Sequence, residues 1–130
     1  MTDTLQAAKR TVLEFQQAFD TAAGDELAEV LAARCADDFL WRGMRPFYEQ
    51  RGAQAVAEVF WKPLRTSLTS LQRRQDVFFA GLNDVTDDDS VWVVSMGHFM
   101  GLFDHPWLGI PPTGKMTFLR YAEFSRVQNG

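Results

Sequence analysis

The segment Val91–Gly114, VWVVSMGHFMGLFDHPWLGIPPTG, constrains this chain more than any other. It begins as a strand rich in β-branched and aromatic residues, loses its side chains at Gly97 and Gly101, and turns over a Pro/Gly-rich loop. The two glycines are expected to leave room above the strand. Pro111 and Pro112 fix their own backbone, and Gly114 can take a positive φ, so the loop reads as a stiff rim. Trp107, in such a loop, must find cover against a ligand, a lid contact or a second subunit.

The chain before this segment is helical. Leu5, Ala8, Val12, Phe15 and Phe19 recur in steps of three and four, predicting a helix capped by Thr2 or Asp3 and ended by Gly24, with Lys9, Arg10 and Gln16 outside. Asp25 and Glu26 start a second helix with Leu27, Val30 and Leu31 on its apolar side. Phe39-Leu40-Trp41 is a short extended run, and residues 42–48 read as irregular. A third helix follows Gly52, with Val56, Val59 and Phe60 inward and Pro63 ending or kinking it.

The period then changes to two. Leu71 to Leu82, Ser90 to Phe103 and Lys115 to Gln128 read as long strands, the first two joined by the acidic turn from Asp84 to Asp89. In the last strand Leu119, Tyr121, Glu123 and Val127 share one face; Phe118, Arg120, Ala122 and Phe124 share the other. Helices followed by neighbouring strands predict an α+β fold, three N-terminal helices packed on a curved antiparallel sheet with a hollow between. The chain reads as a single domain, 1–130. Asn129-Gly130 is a hairpin signal with no returning strand, so the domain is expected to lack its final strand, by truncation or because another segment completes it.

Composition narrows the function. The 130 residues carry a net charge of −4, and no basic cluster exceeds Arg73-Arg74, which argues against nucleic acid. No apolar run is long enough to cross a bilayer and no leader is visible, so no membrane partner and a cytoplasmic location are expected. Cys35 is the sole cysteine and reads as buried packing; two histidines far from it indicate no zinc site, and no metal or other cofactor is expected. The acidic turn lacks the alternation and closing Glu of a calcium loop. Eleven Phe and four Trp can fill a thick core or line a cavity for flat organic ligands.

Gly97-His98-Phe99-Met100-Gly101, then Leu108-Gly109-Ile110-Pro111-Pro112-Thr113-Gly114-Lys115, then Arg126-Val127-Gln128-Asn129-Gly130 resemble the motifs of the SnoaL-like polyketide cyclases, or ester cyclases, of the nuclear transport factor 2-like superfamily. Phe15, Phe19 and Asp38-Phe39 also sit where that family has them. The resemblance implies a cone-shaped pocket, homodimerisation through the sheet, and ring closure of a polyketide ester by an acid–base carboxylate. It also implies departures. The family's catalytic aspartate lies on a strand beyond Gly130; Tyr121 and Glu123 stand where cyclases carry Gln and His, and Trp41 where they carry Asn.

The candidate catalytic residues are Glu123 and His98. If Glu123 faces the hollow, desolvation raises its pKa toward that of a useful base; the alternative is a strand carboxylate paired with Arg120, Arg126 or another cation. His98 could polarise a carbonyl or serve as a hydrogen-bonded wall residue. Trp41, Arg42, Tyr48, Trp61, Met100, Trp107 and Tyr121 are the candidate ligand-binding residues, Arg42 as a charge clamp and the rings as flat contact area. His105 and Asp104 belong to the rim or a dimer contact. The leading expectation is a SnoaL-like domain with an apolar, aromatic pocket for a small ester or polyketide-like ligand, with acid–base cyclase chemistry of a lyase or isomerase type. The alternative is a non-catalytic ligand-binding or dimerisation module within a longer protein. An epoxide hydrolase or isomerase on the same scaffold is a third class, for which no Asp/Arg/Asp or Tyr/Asp set can be assembled.

Overall fold

The computed structural model describes residues 2–85, 88 and 90–130. Most of the acidic turn, Thr86, Asp87 and Asp89, therefore lies outside the described residues. The rest is α+β. Helix α1 (Thr2–Thr21) is followed by a 3₁₀ turn (Gly24–Glu26), α2 (Leu27–Arg34) and the short strands β1 (Leu40–Arg42) and β2 (Glu49–Arg51). Next come α3 (Ala53–Val56), a π turn (Ala57–Trp61) and α4 (Lys62–Ser67), and then the long strands β3 (Leu68–Leu82), β4 (Val91–Phe103) and β5 (Met116–Val127). The long strands form one antiparallel sheet in the order β3-β4-β5, and β1 and β2 form a separate hairpin.

Five sequence expectations are corrected. Helix α1 does not run to a left-handed Gly24. It stops at Thr21, and the Arg65 guanidinium caps its last turn, Nη1 donating to Ala22 O at 2.6 Å and Nη2 to Phe19 O at 2.9 Å and Asp20 O at 3.1 Å. Asp3 lies inside the first turn, where its charge faces the positive helix end. Pro63 does not stop the third helix, because it falls at the start of α4 directly after the π turn, whose wider spacing of hydrogen bonds absorbs the missing N–H. The same π turn rotates Val59 outward, leaving it 38% exposed.

The fifth correction matters most for function. Gln16 is not on the outer side of α1; it is only 4% exposed, in the same stripe as Ala8, Val12 and Phe19. Steps of four, four and three bring these residues onto one face, so the polar side chain enters the interior with its apolar neighbours.

The helices cover one face of the sheet. Phe19, Leu27, Leu31, Val56, Trp61 and Leu64 pack against Leu68, Phe99 and Tyr121 of the inner sheet face. A smaller cluster joins Ala8 and Val12 to Val91 and Val93. Burying each large side chain contributes about 2 kcal/mol, so the helix layer and the inner strand positions hold one another in place. The opposite sheet face is open, with Val77, Phe79, Leu102, Met116, Phe118 and Phe124 exposed.

Candidate functional site

Two slips in strand register aim the charged residues inward. Pairing of β3 with β4 shifts between Thr69 and Gln72 and again between Gln75 and Val77. Between the shifts Arg73 pairs with Phe99 and Gln75 with Gly97, so both side chains join the helix-facing side. Gly97 is what the second slip requires. A Cβ there would stand 1.8 Å from the Arg74 carbonyl oxygen. The glycine therefore makes room for the neighbouring backbone, not for a ligand above the strand. Gly101 does the same more gently, its Cβ position lying 3.0 Å from Leu68 Cβ.

Arg73 is the centre of the site. Its side chain is 7% exposed, its guanidinium carbon 4.9 Å from the Phe99 ring centre and 5.1 Å from that of Tyr121. Nε donates to Asp20 Oδ2 at 2.8 Å and Nη2 to Asp20 Oδ1 at 3.2 Å, a forked grip on the last turn of α1. Nη1 donates to Glu123 Oε1 at 3.0 Å. Burial works against the guanidinium charge, but Glu123 and Asp20 more than offset it and hold its pKa above the ordinary arginine value.

One cation thus serves two carboxylates. Burial pushes the Glu123 pKa above that of an ordinary carboxylate; Arg73 pulls the other way without restoring it, and the Asp20 charge adds to the rise. The Gln16 amide lies against this carboxylate and favours its charged form. Beside Glu123 runs a second polar chain. Ser95, its register partner on β4, donates to Gln75 Oε1 at 2.5 Å, which leaves the Tyr121 hydroxyl as donor to Ser95 Oγ at 3.0 Å. The cavity against Arg73, lined by Phe19, Asp20, Trp61, Arg65, Leu71 and Phe99, holds about 10 Å³, room for roughly one water.

The other expected site residues fall in three places. Trp61 is buried, edge-on to Phe19, Phe60 and Phe99, and its ring lines the cavity. Trp41 and Trp107 belong to a ring cluster at the hairpin end. Trp41 tilts on Phe60 at 5.1 Å, and Trp107 stacks on Phe47 at 6.1 Å and 22°. Gly43 makes room for Trp41, since a Cβ there would meet its ring at 2.2 Å. Arg42 and Tyr48 are exposed on the hairpin, Arg42 paired with Glu49 at 3.1 Å. Neither reaches Glu123.

His98 and Met100 lie on the open face of the sheet, opposite to Glu123, because they occupy even positions of β4 whose odd positions face the helices. His98 Nδ1 lies 3.3 Å from Asp76 Oδ2, and its ring stands edge-on to Phe118. The rim loop is tied to the end of the third helix. Asp104 N and His105 N donate to Ser67 O, and Ser67 Oγ donates to Pro106 O at 2.8 Å. Trp107 and Ile110 then close a tight turn with Leu108 and Gly109 both at positive φ, and Gly114 takes the positive φ expected of it.

Arg73, Asp20 and Gln16 were not among the residues anticipated from sequence. A polar residue on an otherwise apolar helical stripe, with an acid four positions further on, is the signal that marks Gln16 and Asp20. Arg73 has no such signal, since its inward direction depends on the register slips.

Comparison with known proteins supports the fold. The chain is similar to the crystal structure of a protein assigned as a SnoaL-like polyketide cyclase from Jannaschia sp. CCS1, with a TM-score of 0.66 and 22% sequence identity, over 93% of this chain and 76% of that one. No protein-family model matches the chain, and no curated protein matches it. No helix among the described residues is long and apolar enough to cross a membrane.

Proposed function

We propose that this chain handles a small organic molecule in the manner of the SnoaL-like cyclases, taking an ester or polyketide-like ligand between the helices and the inner sheet face, with Glu123 as its acid–base group. The observation that carries the reading is the Glu123 carboxylate itself, held on the inner sheet face with its pKa raised by burial although Arg73 lies at 3.0 Å. A base with a raised pKa removes a carbon-bound proton more readily than an ordinary carboxylate does.

The chemistry follows from that group. Glu123 takes the proton from a carbon beside a carbonyl, and the electron pair of the broken C–H bond moves onto the carbonyl oxygen. The enolate carbon attacks a second carbonyl of the same molecule, forming a C–C bond, and the proton passes from Glu123 to the new alkoxide. The step is an isomerisation and needs no co-reactant. Arg73 and Tyr121 hold the carboxylate and the ring wall in place. The rings of Trp41, Phe47, Phe60 and Trp107 fill the hairpin end of the interior, so a ligand of this size is admitted only as they part.

The test is exchange of the acidic carbon-bound protons of ethyl benzoylacetate in weakly acidic heavy-water buffer, followed by NMR. The protein should accelerate exchange above buffer, and Glu123→Gln should abolish the acceleration. No acceleration with this or related keto esters would sink the catalytic reading.

A second reading, a non-catalytic module that pairs through its sheet, is favoured by the open face. Phe79 and Phe124 are 51% and 63% exposed and flank Val94 across the three strands. A contiguous apolar face of this kind suits a second copy of the chain. Light scattering of the native protein and of Phe124→Glu would decide it: a dimer converted to a monomer supports pairing, and a monomeric native protein removes it.

A further inference from the structure

We infer that a second copy of this chain docks on the open sheet face about a two-fold axis running along β4, and that protonation of His98 in mild acid separates the two copies. The inference rests on the pairing reading given above and adds the geometry and the control of that contact.

The middle strand presents Val94, Met96, His98 and Met100 on the open face, apolar but for the imidazole. The outer strands match one another on either side of it. Phe79 of β3 and Phe124 of β5 flank Val94, and Arg74 of β3 and Arg120 of β5 flank His98. A two-fold axis along β4 exchanges the outer strands of two stacked sheets, so Phe79 of one copy meets Phe124 of the other and each exposed ring is covered twice over. Flanks that match at the same level make the face self-complementary, which favours a second copy over an unrelated partner. Residues of β4 meet their own counterparts at the axis, and the two His98 rings therefore face each other.

The surroundings of His98 make that meeting sensitive to charge. Its side chain is 33% exposed, with Nδ1 3.3 Å from Asp76 Oδ2. The second register slip supplies this acid, because Asp76 is the extra residue between Gln75, which faces the helices, and Val77, which pairs with Met96. The charged groups around His98 are Arg74 and Asp76 from β3 and Arg120 from β5. Phe118 of β5 presents only a ring, and Arg126, paired with Asp88, lies about 20 Å away along the strand. The helices lie on the other side of the sheet.

With a neutral imidazole, two arginines and one aspartate leave this row a net charge of +1 in each copy. Protonation makes it +2, and the product of the two facing charges rises about fourfold. Arg74 and Arg120 are exposed on outer strands, and their long stems carry their charges to the edge of the contact. His98, on the middle strand, has no such reach. Its imidazolium is buried against its own copy in the pair but stands beside Asp76 in water when the chains separate. Histidine is the side chain that ordinarily gains a charge between pH 8 and pH 5, so acid favours the separate chains.

The test measures the dissociation constant of the full chain by sedimentation at pH 8 and pH 5, for the native protein, His98→Gln and His105→Gln. His105, in the rim loop, is the only other histidine. The native pair should weaken about 100-fold in acid. His105→Gln should follow it, and His98→Gln should stay paired, with the far-UV circular dichroism of all three unchanged. A native dimer equally tight at both pH values overturns the switch and leaves the pairing reading standing. A His98→Gln dimer that separates in acid as the native one does also overturns it. A native protein that is monomeric at pH 8 removes pairing and switch together. The axis has its own check at pH 8: Phe79→Lys and Phe124→Glu should each be monomeric alone and form a heterodimer when mixed, since lysine then meets glutamate while the two remaining rings still meet. Failure of the mixture to pair overturns the axis along β4.

Discussion

Arg73 and Glu123 meet at 3.0 Å on the inner face of the sheet, and the same guanidinium grips Asp20 with its two remaining nitrogens. Arg65 lines the cavity beside this cluster and sets a second positive charge against Asp20. Burial, with a smaller contribution from the Asp20 charge, keeps the Glu123 pKa above its ordinary value despite the pair with Arg73. The ion pair fixes the carboxylate in position, and burial keeps it basic.

The first prediction concerns stability against pH. The folded-state pKa of Glu123 lies above that of the unfolded chain, so the native protein holds the proton over a range in which the unfolded chain has lost it. The stability gained is present in full below about pH 4, near the unfolded value, and is lost as pH rises through the folded pKa. Glu123→Gln does not titrate. Native protein should therefore lose stability relative to this variant as pH rises from the unfolded pKa toward neutrality, measured as the difference between their urea midpoints. A difference that moves the other way would mean that the Arg73 pair outweighs burial.

Arg73→Met should destabilise the fold by about 3 kcal/mol, since it leaves the Glu123 carboxylate without its cation and Asp20 with only the neighbouring Arg65. The side chains of Asp20 and Glu123 keep 33% and 25% of their surface, so the loss falls at the lower end of what breaking a buried pair costs. The loss should shrink in acid, as the two carboxylates take up protons. Denaturant titrations at neutral and acid pH check both parts, and an unchanged loss in acid would contradict the electrostatic account.

Much of this cluster could not be read from sequence, for a reason its residues make plain. The inward direction of Glu123 and Tyr121 follows from simple alternation in β5, which has no register slip to β4, and it was legible. Arg73 lies between two slips in β3, so parity counted along the strand does not carry across it. A polar residue is ordinarily solvated, so the sequence reads Gln16 as outward, and burial of the whole stripe overrides that preference. His98 reads as a site residue between two glycines, yet strand parity places it on the opposite face. The rim turn with Gly114, the α+β order and the three long strands were legible because turn chemistry and period are local. The π turn around Pro63 was not, because it depends on how the third helix packs.

Gly97→Ala should destabilise by about 3 kcal/mol or prevent folding, because its Cβ would stand 1.8 Å from the Arg74 carbonyl oxygen and the bulge that aims Arg73 and Gln75 inward would have to open. Gly81→Ala, on the neighbouring strand with nothing within 4 Å of the added Cβ, is the control and should be neutral or stabilising. Equal urea midpoints for the two variants would show that the close approach is not structural.

Cys35 provides the last prediction. It follows the end of α2, half-buried against the main core, and burial pushes its thiol up to about 11. The thiolate is the reactive form, so near pH 8 the folded protein should react with iodoacetamide on the order of 100-fold more slowly than the same protein in denaturant. The sign is fixed by the direction of the shift: the raised pKa keeps the thiol protonated, and reactivity should rise as pH climbs toward the folded value. Mass spectrometry of timed samples measures both rates. Equal rates would mean that the end of α2 opens readily, and the core around Leu31 and Cys35 would then not hold the helix layer in the way its burial indicates.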